Sequence, residues 1–437
     1  MAPQFLPNEL LELIVSNIDP TSRAGRSVLR ACSRANQALG FISQKRLFED
    51  VTLSYKLTRG DFGVILFDDE KTTGHKFLSL LNASPHISSY TKKLTIEELP
   101  LEAARSSETF WSPSDAESFS LYAITARCQG LKNFVSRCYI NWTLLGEIEE
   151  RTEAFFFNLV QRVQELDYRT FHSFPLSAFF RCHNVQRLHI SSLSYDIGST
   201  SVSQSDASQV QLLSLDLSGN SFLIKEKEVT SWFDSPESPL NITLLQSLTI
   251  LVMRDQVPAM EQILILCSDT LENLELRADL YLNTILTSNM KPLNLGTLLN
   301  LRNLEIRIII AHYMYRQPAA LNRDSTYLND FSYAASILQT LPLKPCPYPT
   351  LQLNLNLHVS DFRTFEKQTA NIPWLDLVRI LDEDEMPLRI ARVNLLIKPF
   401  EDGGPLGISL PTLTSVLDRN DGLRELKEKG FLFYGSH

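Results

Sequence analysis

A six-residue pattern recurs along this 437-residue chain and constrains its fold more than any other feature of the sequence. Each copy has an apolar residue, two variable residues, a second apolar residue, one polar residue and a third apolar residue. Clear copies begin at residues 185, 212, 245, 271 and 301, so the spacing runs from 26 to 33 residues. Two apolar residues that flank a polar one predict a short strand with one buried face. Repetition at this period predicts a stack of similar units.

The most regular copy is LLSLDLSGN, which starts at Leu212 and resembles the leucine-rich repeat pattern L-x-x-L-x-L-x-x-N. Weaker copies surround Leu94 and Leu166. Helical stretches such as AMEQILILCSDTLENL separate the copies, and beyond residue 310 the period loosens, although TLQLNLNLHV still alternates as a strand does. The resemblance implies an irregular leucine-rich-repeat-like α/β solenoid over residues 56–437. An ordinary α/β domain with alternating strands is the alternative.

The first fifty residues predict three short helices. FLPNELLELIVSNIDP places Pro7 in the first helical turn, where a missing N–H costs nothing, and its leucines and isoleucines recur at helical spacing. SVLRACSRANQALGFIS and SQKRLFEDVTL predict the second and third helices. Three helices of this size make a marginal core by themselves. The apolar face of the first helix is therefore expected to be covered, either by the next domain or by a partner.

Several N-terminal motifs occur together in the order and spacing of an F-box. They are Leu6-Pro7, Glu9-Leu10-Leu11, LRACSR and RLFEDV, so residues 1–55 resemble that module, although residues 21–25 lack the leucines that many F-boxes carry. An F-box docks its apolar face on the Skp adaptor of cullin-based ubiquitin ligases. The resemblance therefore implies the Skp adaptor, and through it a cullin, as partners. The adaptor-binding positions that it implies are Leu6, Pro7, Leu10, Ile14, Val28, Cys32 and Leu47.

Composition excludes several other classes of protein. The formal net charge of -9 argues against a nucleic-acid partner, which needs a basic face. No apolar run approaches the length of a membrane span, and the N-terminus lacks the pattern of a secretory signal. The six cysteines form no CxxC pair, so neither a disulfide framework nor a zinc site is predicted. We expect a cytoplasmic or nuclear protein, or one found in both compartments.

No residue pattern predicts catalysis, a metal site or a cofactor. The motifs HExxH, GxSxG and the phosphate-binding loop are absent from the sequence. Cys182-His183 and His189 could suggest a metal site, but His189 is expected to point away from the loop that carries His183. Glu275 and Glu305 occupy equivalent repeat positions, as a glycosidase pair might, but that position faces solvent between inward leucines. We therefore expect a protein that is not an enzyme.

The positions between the inward leucines predict a polar strip of mixed charge, which suits recognition of a protein surface. The candidate target-binding residues are Arg169, His189, Asp216, Glu275, Arg277, Glu305 and Arg307, with Thr249 in the same slot. The alternative is that these side chains are only solvated. The expected function is substrate recognition in a Skp-cullin-F-box ubiquitin ligase, with an unidentified protein substrate. A non-ligase scaffold, in which the N-terminal helices only cap the solenoid, is the second hypothesis.

Overall fold

A computed structural model gives the fold of most, but not all, of the chain. It describes residues 7–20, 22–59, 65–67, 73–99, 115–137, 140–141, 158–168, 171–172, 179, 182–190, 209–217, 233, 238–252, 257–278, 291–310, 336–341, 351–359, 374–375, 378, 390–399, 415, 418–429 and 432–436. The chain divides into two compact units, Met1–Val210 (unit 1) and Gln211–His437 (unit 2).

Unit 1 begins with three helices that pack around a small apolar core. The helices are α1 (Asn8–Ser16), α2 (Arg23–Ala35) and α3 (Gln37–Phe48). Each contributes one buried residue to the core, namely Val15, Leu29 and Ile42. Only three side chains are buried at the centre of this cluster, so much of the apolar surface of the helices has to be covered elsewhere or stay exposed.

The break between the second and third helices differs from the sequence prediction. Apolar spacing predicted one helix from Ser27 to Ser43, but the structure interrupts it at Asn36, which has an extended backbone. The Asn36 Oδ1 atom accepts a hydrogen bond from the backbone N–H of Leu39 at 2.8 Å and so caps α3. The predicted boundary was wrong because the apolar spacing continues through Asn36, whereas one side chain sets the new helix start.

The rest of unit 1 is a mostly parallel sheet with helices. Its strands are β1 (Asp50–Arg59), β2 (Ile65–Phe67), β3 (Lys93–Leu99), β4 (Asn133–Ser136), β5 (Ile140–Asn141), β6 (Glu165–Tyr168), β7 (Phe171–His172) and β8 (Arg187–Ile190). Helices α4 (Thr73–Ala83) and α5 (Asp115–Arg127) and the 3₁₀ helix Pro85–Ser89 lie between strands. The sheet order is β2-β1-β3-β4-β6-β8, with β1 and β2 antiparallel and every other pair parallel, while β5 and β7 pair separately.

Unit 2 has the same strand-and-helix character. Strand β9 (Val210–Gln211) lies at the unit boundary and is followed by β10 (Ser214–Leu217), β11 (Leu240–Asn241), β12 (Ser247–Leu251), α6 (Val257–Leu266), β13 (Asn273–Ala278), β14 (Asn303–Ile310), β15 (Leu351–Val359), β16 (Ile390–Pro399), α7 (Asp421–Glu428) and β17 (Leu432–Ser436). The sheet order is β10-β12-β13-β14-β15-β16-β17, and all of these pairs are parallel.

The five clear sequence copies are confirmed as strands, since β8, β10, β12, β13 and β14 each begin two residues after the predicted start. The apolar residues of each copy are buried, as Leu271, Leu274 and Leu276 illustrate at 0 to 2% exposure. The weaker copies are also strands, β3 and β6. The chain is therefore a mixed α/β protein with mostly parallel sheets and helices.

Successive strands are joined by a repeated backbone arrangement. In unit 2 the Gln246 carbonyl accepts hydrogen bonds from the N–H groups of both Glu272 and Asn273, at 3.0 and 2.9 Å. The Glu272 carbonyl then accepts from Arg302 and Asn303 in the same way. Unit 1 has the corresponding carbonyls at Glu49, Lys92, Lys132 and Gln164. The same arrangement therefore also precedes β1 and β4, two strands that the sequence analysis did not predict.

Candidate functional site

The first candidate surface is an apolar face on α1, defined by Leu10, Leu13 and Ile14, and Val28 is a further exposed apolar side chain on α2. The side chains of Leu10, Leu13, Ile14 and Val28 are 46%, 60%, 53% and 47% exposed, respectively. Helical geometry explains why α1 has both buried and exposed apolar residues. Val15 faces the core, whereas Leu10 and Ile14 are rotated from Val15 about the helix axis by a quarter-turn or more. Exposed apolar side chains grouped in this way are typical of a protein interaction surface.

The remaining predicted adaptor-binding residues differ in exposure. Pro7 is exposed and precedes α1, where its carbonyl accepts a hydrogen bond from the Leu11 N–H at 3.2 Å. Cys32 is half-buried, and Leu47 is partly buried against the helical core. Leu6 lies outside the described residues. Of the seven predicted residues, Leu10 and Ile14 therefore lie on the apolar face of α1, and Val28 is exposed on α2.

Helix α3 also contacts the part of unit 1 that follows it. The ring of Phe41 meets that of Tyr90 edge to face, with centroids 5.5 Å apart, and Phe48 lies 6.4 Å from Phe77. Such aromatic contacts stabilise a packed interface beyond simple burial. The three helices are therefore attached to the rest of unit 1 through α3, while Leu10, Leu13 and Ile14 on α1 stay exposed.

The second candidate surface is a polar row in unit 2, defined by Asp216, Thr249, Glu275, Arg277, Glu305 and Arg307. Strand pairing aligns Asp216 with Thr249, Thr249 with Glu275, and Glu275 with Glu305. It also places Arg277 beside Arg307, two residues farther along the strands. All six side chains are half-buried. The predicted strip is thus present in unit 2, but its side chains are not simply solvated.

Glu275 is the centre of the polar row. Its Oε1 atom accepts a hydrogen bond from Arg277 Nε at 2.7 Å and lies 2.6 Å from Arg307 Nε. Its Oε2 atom accepts a weaker bond from the Thr249 hydroxyl at 3.4 Å. Arg307 Nε also donates to Glu305 Oε1 at 2.9 Å. One carboxylate therefore orients two guanidinium groups on neighbouring strands.

The electrostatics of Arg277 reflect this arrangement. Burial lowers the pKa of its guanidinium, but the hydrogen bond and charge of Glu275, together with the charges of Asp216 and Glu305, outweigh burial and leave the pKa raised. The Arg277 Nη2 atom lies 4.0 Å from Asp216 Oδ2. Arg277 is therefore held in the charged state and in a fixed place. A fixed array of positive and negative charges can recognise a partner with little loss of side-chain entropy.

Two of the predicted strip residues, Arg169 and His189, belong to unit 1. His189 Nδ1 lies 3.8 Å from Asp167 Oδ1, and strand pairing aligns the two residues. Arg169 lies outside the described residues. His189 is thus placed next to a carboxylate on the adjacent strand, which is an arrangement the sequence analysis did not predict.

The described cysteines and metal-ligating side chains give no positive indication of a nucleophile or a metal site. Burial raises the pKa of the Cys182 and Cys267 thiols to about 12, so both stay protonated and poorly nucleophilic near neutral pH. No group of three or more histidine, cysteine, aspartate or glutamate side chains in the described ranges is placed to hold a metal ion. Glu275 and Glu305, the pair considered for glycoside hydrolysis, both contact Arg307.

Sequence reasoning missed Leu13, which is the most exposed member of the apolar face. Its three-residue spacing from Leu10 was the available signal, since residues at that spacing share a helix face. The ion pairs of the polar row were missed as well. Strand register could have indicated them, because equivalent repeat positions in parallel strands become direct neighbours.

Comparisons with known proteins identify no family. The sequence matches no protein-family model, and no curated protein matches it. In the part of the chain that the structure describes, no helix combines the length and apolar character that crossing a membrane would need. The F-box and leucine-rich-repeat resemblances therefore stay predictions.

Proposed function

We propose that this protein is the substrate-recognition subunit of a Skp-cullin-F-box ubiquitin ligase. In this proposal α1–α3 form an F-box that binds the Skp adaptor, the parallel sheets continue as an irregular leucine-rich-repeat-like solenoid, and the polar row binds a protein target. The protein performs no chemistry itself. Its effect is to raise the local concentration of the target near the ubiquitin-carrying enzyme.

The observation that carries the proposal is the open apolar face beside a buried helical core. Leu10, Leu13 and Ile14 are each about half exposed or more, whereas Val15 on the same helix is 1% exposed. Leaving adjoining apolar side chains in water forgoes about 25 cal/mol for each Å² that a partner would cover. An adaptor that covers this face would recover that free energy, which is the role that the F-box resemblance implies.

The polar row supports the second half of the proposal. Its three carboxylates and two guanidinium groups are fixed by contacts to one another before any target arrives. A preorganised charge pattern gives specificity, because a wrong partner meets like charges that cannot move away. The row is therefore suited to recognising one protein surface among many.

One observation favours the second candidate, a scaffold in which the helices only cap the repeats. The contacts of Phe41 with Tyr90 and of Phe48 with Phe77 attach α3 to the repeats, as a cap requires. A cap, however, needs no apolar side chains on its outer side. Leu10 and Ile14 therefore separate the two candidates.

The proposal is tested by measuring binding of the purified full chain to the purified Skp adaptor by biolayer interferometry. The variant Leu10→Asp/Ile14→Asp should weaken binding at least tenfold, because it places two charges in the covered interface. Since both side chains are exposed, the variant should keep the circular dichroism spectrum and the melting temperature of the native protein. The control is Leu244→Asp, which changes a side chain of similar exposure, 50%, in unit 2.

Binding by the native protein and by Leu244→Asp, but not by the α1 variant, is the expected result. If the native protein fails to bind the adaptor, the ligase proposal is wrong. If the α1 variant melts at a lower temperature while adaptor binding is unchanged, the helices act as a cap.

A further inference from the structure

Helix α2 carries a stripe of four arginines, Arg23, Arg26, Arg30 and Arg34, which we call the arginine stripe. All four side chains are exposed. Their spacing of three, four and four residues follows the helical period, so at about 100° per residue they fall within an arc of roughly 80°. Along the axis they extend over about 16 Å, at 1.5 Å per residue. Four like charges therefore form one line in a chain whose net charge is -9.

The arginine stripe lies on the opposite side of α2 from Val28, one of the predicted adaptor-binding residues. On the same helix, Val28 is turned by roughly 160° from the middle of the stripe, and the buried residues Gly25 and Leu29 lie between these directions. The stripe would therefore remain open if a partner covered Val28. Binding at the stripe is therefore independent of whether the protein is a ligase subunit.

Within the described chain, no ion pair or hydrogen bond involves the guanidinium groups of the arginine stripe. Other arginines of unit 1 behave differently, since Arg46 pairs with Glu49 at 3.0 Å and Arg137 pairs with Glu97. Four aligned guanidinium groups repel one another at this spacing, and like charges three or four residues apart destabilise a helix. An anionic partner would reverse that cost and add charge-assisted, bidentate hydrogen bonds.

We propose that the arginine stripe binds an acidic helix of a protein partner. The carboxylates of such a helix, recurring every three or four residues, match the stripe in period and in length. The small residues Ala24, Ser27 and Ala31 beside the stripe allow a second helix to approach closely. Helix packing at this distance brings each carboxylate within reach of one guanidinium.

Three other polyanions fit the arginine stripe less well. A membrane-surface helix needs large apolar or aromatic side chains to insert, and Ala24, Ser27 and Ala31 supply none next to the arginines. Single-stranded nucleic acid needs aromatic side chains between the charges for stacking, which α2 lacks. Duplex DNA spreads its phosphates well beyond a single line of charge, and the acidic remainder of the chain would repel them.

The test measures binding of the full chain to a labelled helical peptide of about 20 residues, with four glutamates at spacings of three, four and four. A second peptide has the same composition in scrambled order. We expect the patterned peptide to bind at least tenfold more tightly than the scrambled one, and its affinity to fall as salt rises. The variant Arg26→Gln/Arg30→Gln/Arg34→Gln should lose that binding at least tenfold. Glutamine keeps the helix propensity of α2.

The matched control is Lys45→Gln/Lys76→Gln/Lys132→Gln, which removes three exposed positive charges from other elements of unit 1. It should bind the patterned peptide as the native protein does. Equal affinity for the two peptides, equal loss in both variants, or no peptide binding at low salt would each overturn the proposal. Tighter binding to a DNA duplex or to phosphatidylserine vesicles than to the patterned peptide would overturn it too.

Discussion

At the scale of single residues, Glu275 decides whether the polar row is an ordered array or a set of separate charges. Its Oε1 atom is within 2.7 Å of the Nε atoms of both Arg277 and Arg307. These groups are less than one-third exposed, so water screens their interaction only in part. Removing the charge would leave two guanidinium groups without their shared partner, which costs more than the loss of one surface ion pair.

We therefore expect Glu275→Gln to lower the free energy of unfolding by about 1–3 kcal/mol. Glu272→Gln is the control, because Glu272 immediately precedes the same strand and its ion pair with Arg302, at 3.4 Å, is more exposed. Urea denaturation followed by circular dichroism measures both changes. An effect of Glu275→Gln no larger than that of Glu272→Gln would show that the row does not act as a unit.

At the scale of elements, the start of α2 depends on a close backbone approach at Gly25. A Cβ atom on Gly25 would lie 1.8 Å from the carbonyl oxygen of Asp19, a distance that cannot be accommodated without moving the chain. The Gly25 N–H also donates to the Ser22 hydroxyl at 2.9 Å, which caps the helix. The F-box resemblance is weakest in this part of the sequence, and the structure gives a local reason for a glycine there.

Gly25→Ala should therefore destabilise unit 1 by about 1–3 kcal/mol, as overpacking does, although alanine favours helices by about 1 kcal/mol. Gly130→Ala is the control, because the one close contact of its Cβ would be the flexible end of Lys92, while the Ser89 carbonyl oxygen lies at an ordinary 3.6 Å. Chemical denaturation measures the free energy of unfolding of both variants, and only Gly25→Ala should lower it. A Gly25→Ala protein as stable as the native one would mean that α2 can shift without loss of packing.

The individual strands and helices also show which parts of the fold could be predicted from the sequence. Strands with leucine at all three apolar positions, such as β13, were predicted because spacing alone marks a strand with one buried face. Strand β1 was missed because it begins inside the segment SQKRLFEDVTL, which was predicted as a helix, and β4 was missed because polar Ser136 occupies its third apolar position. The ion pairs around Glu275 could not be predicted, because they depend on strand register and side-chain rotamers. Apolar spacing also gave no signal of the helix break at Asn36, which rests on one capping hydrogen bond.

At the scale of the whole molecule, the two candidate surfaces belong to different compact units. The apolar face with Leu10 and Ile14 lies in unit 1, and the polar row lies in unit 2. Each surface is stabilised by contacts within its own unit. The apolar face depends on the helical core, and the polar row depends on ion pairs between its side chains. A protein that joins an adaptor to a target needs two surfaces that work independently.

We therefore expect substitutions to separate the two binding activities. The charge swap Glu305→Arg/Arg307→Glu keeps the net charge but reverses the pattern that a target would read, so it should lose target proteins and keep the adaptor. Leu10→Asp/Ile14→Asp should lose the adaptor and keep the targets. Quantitative co-precipitation of the native protein and both variants from the same cells measures this, with circular dichroism to verify folding. If both variants lose the same set of proteins, the two surfaces serve a single interaction, and the division between adaptor and target binding is wrong.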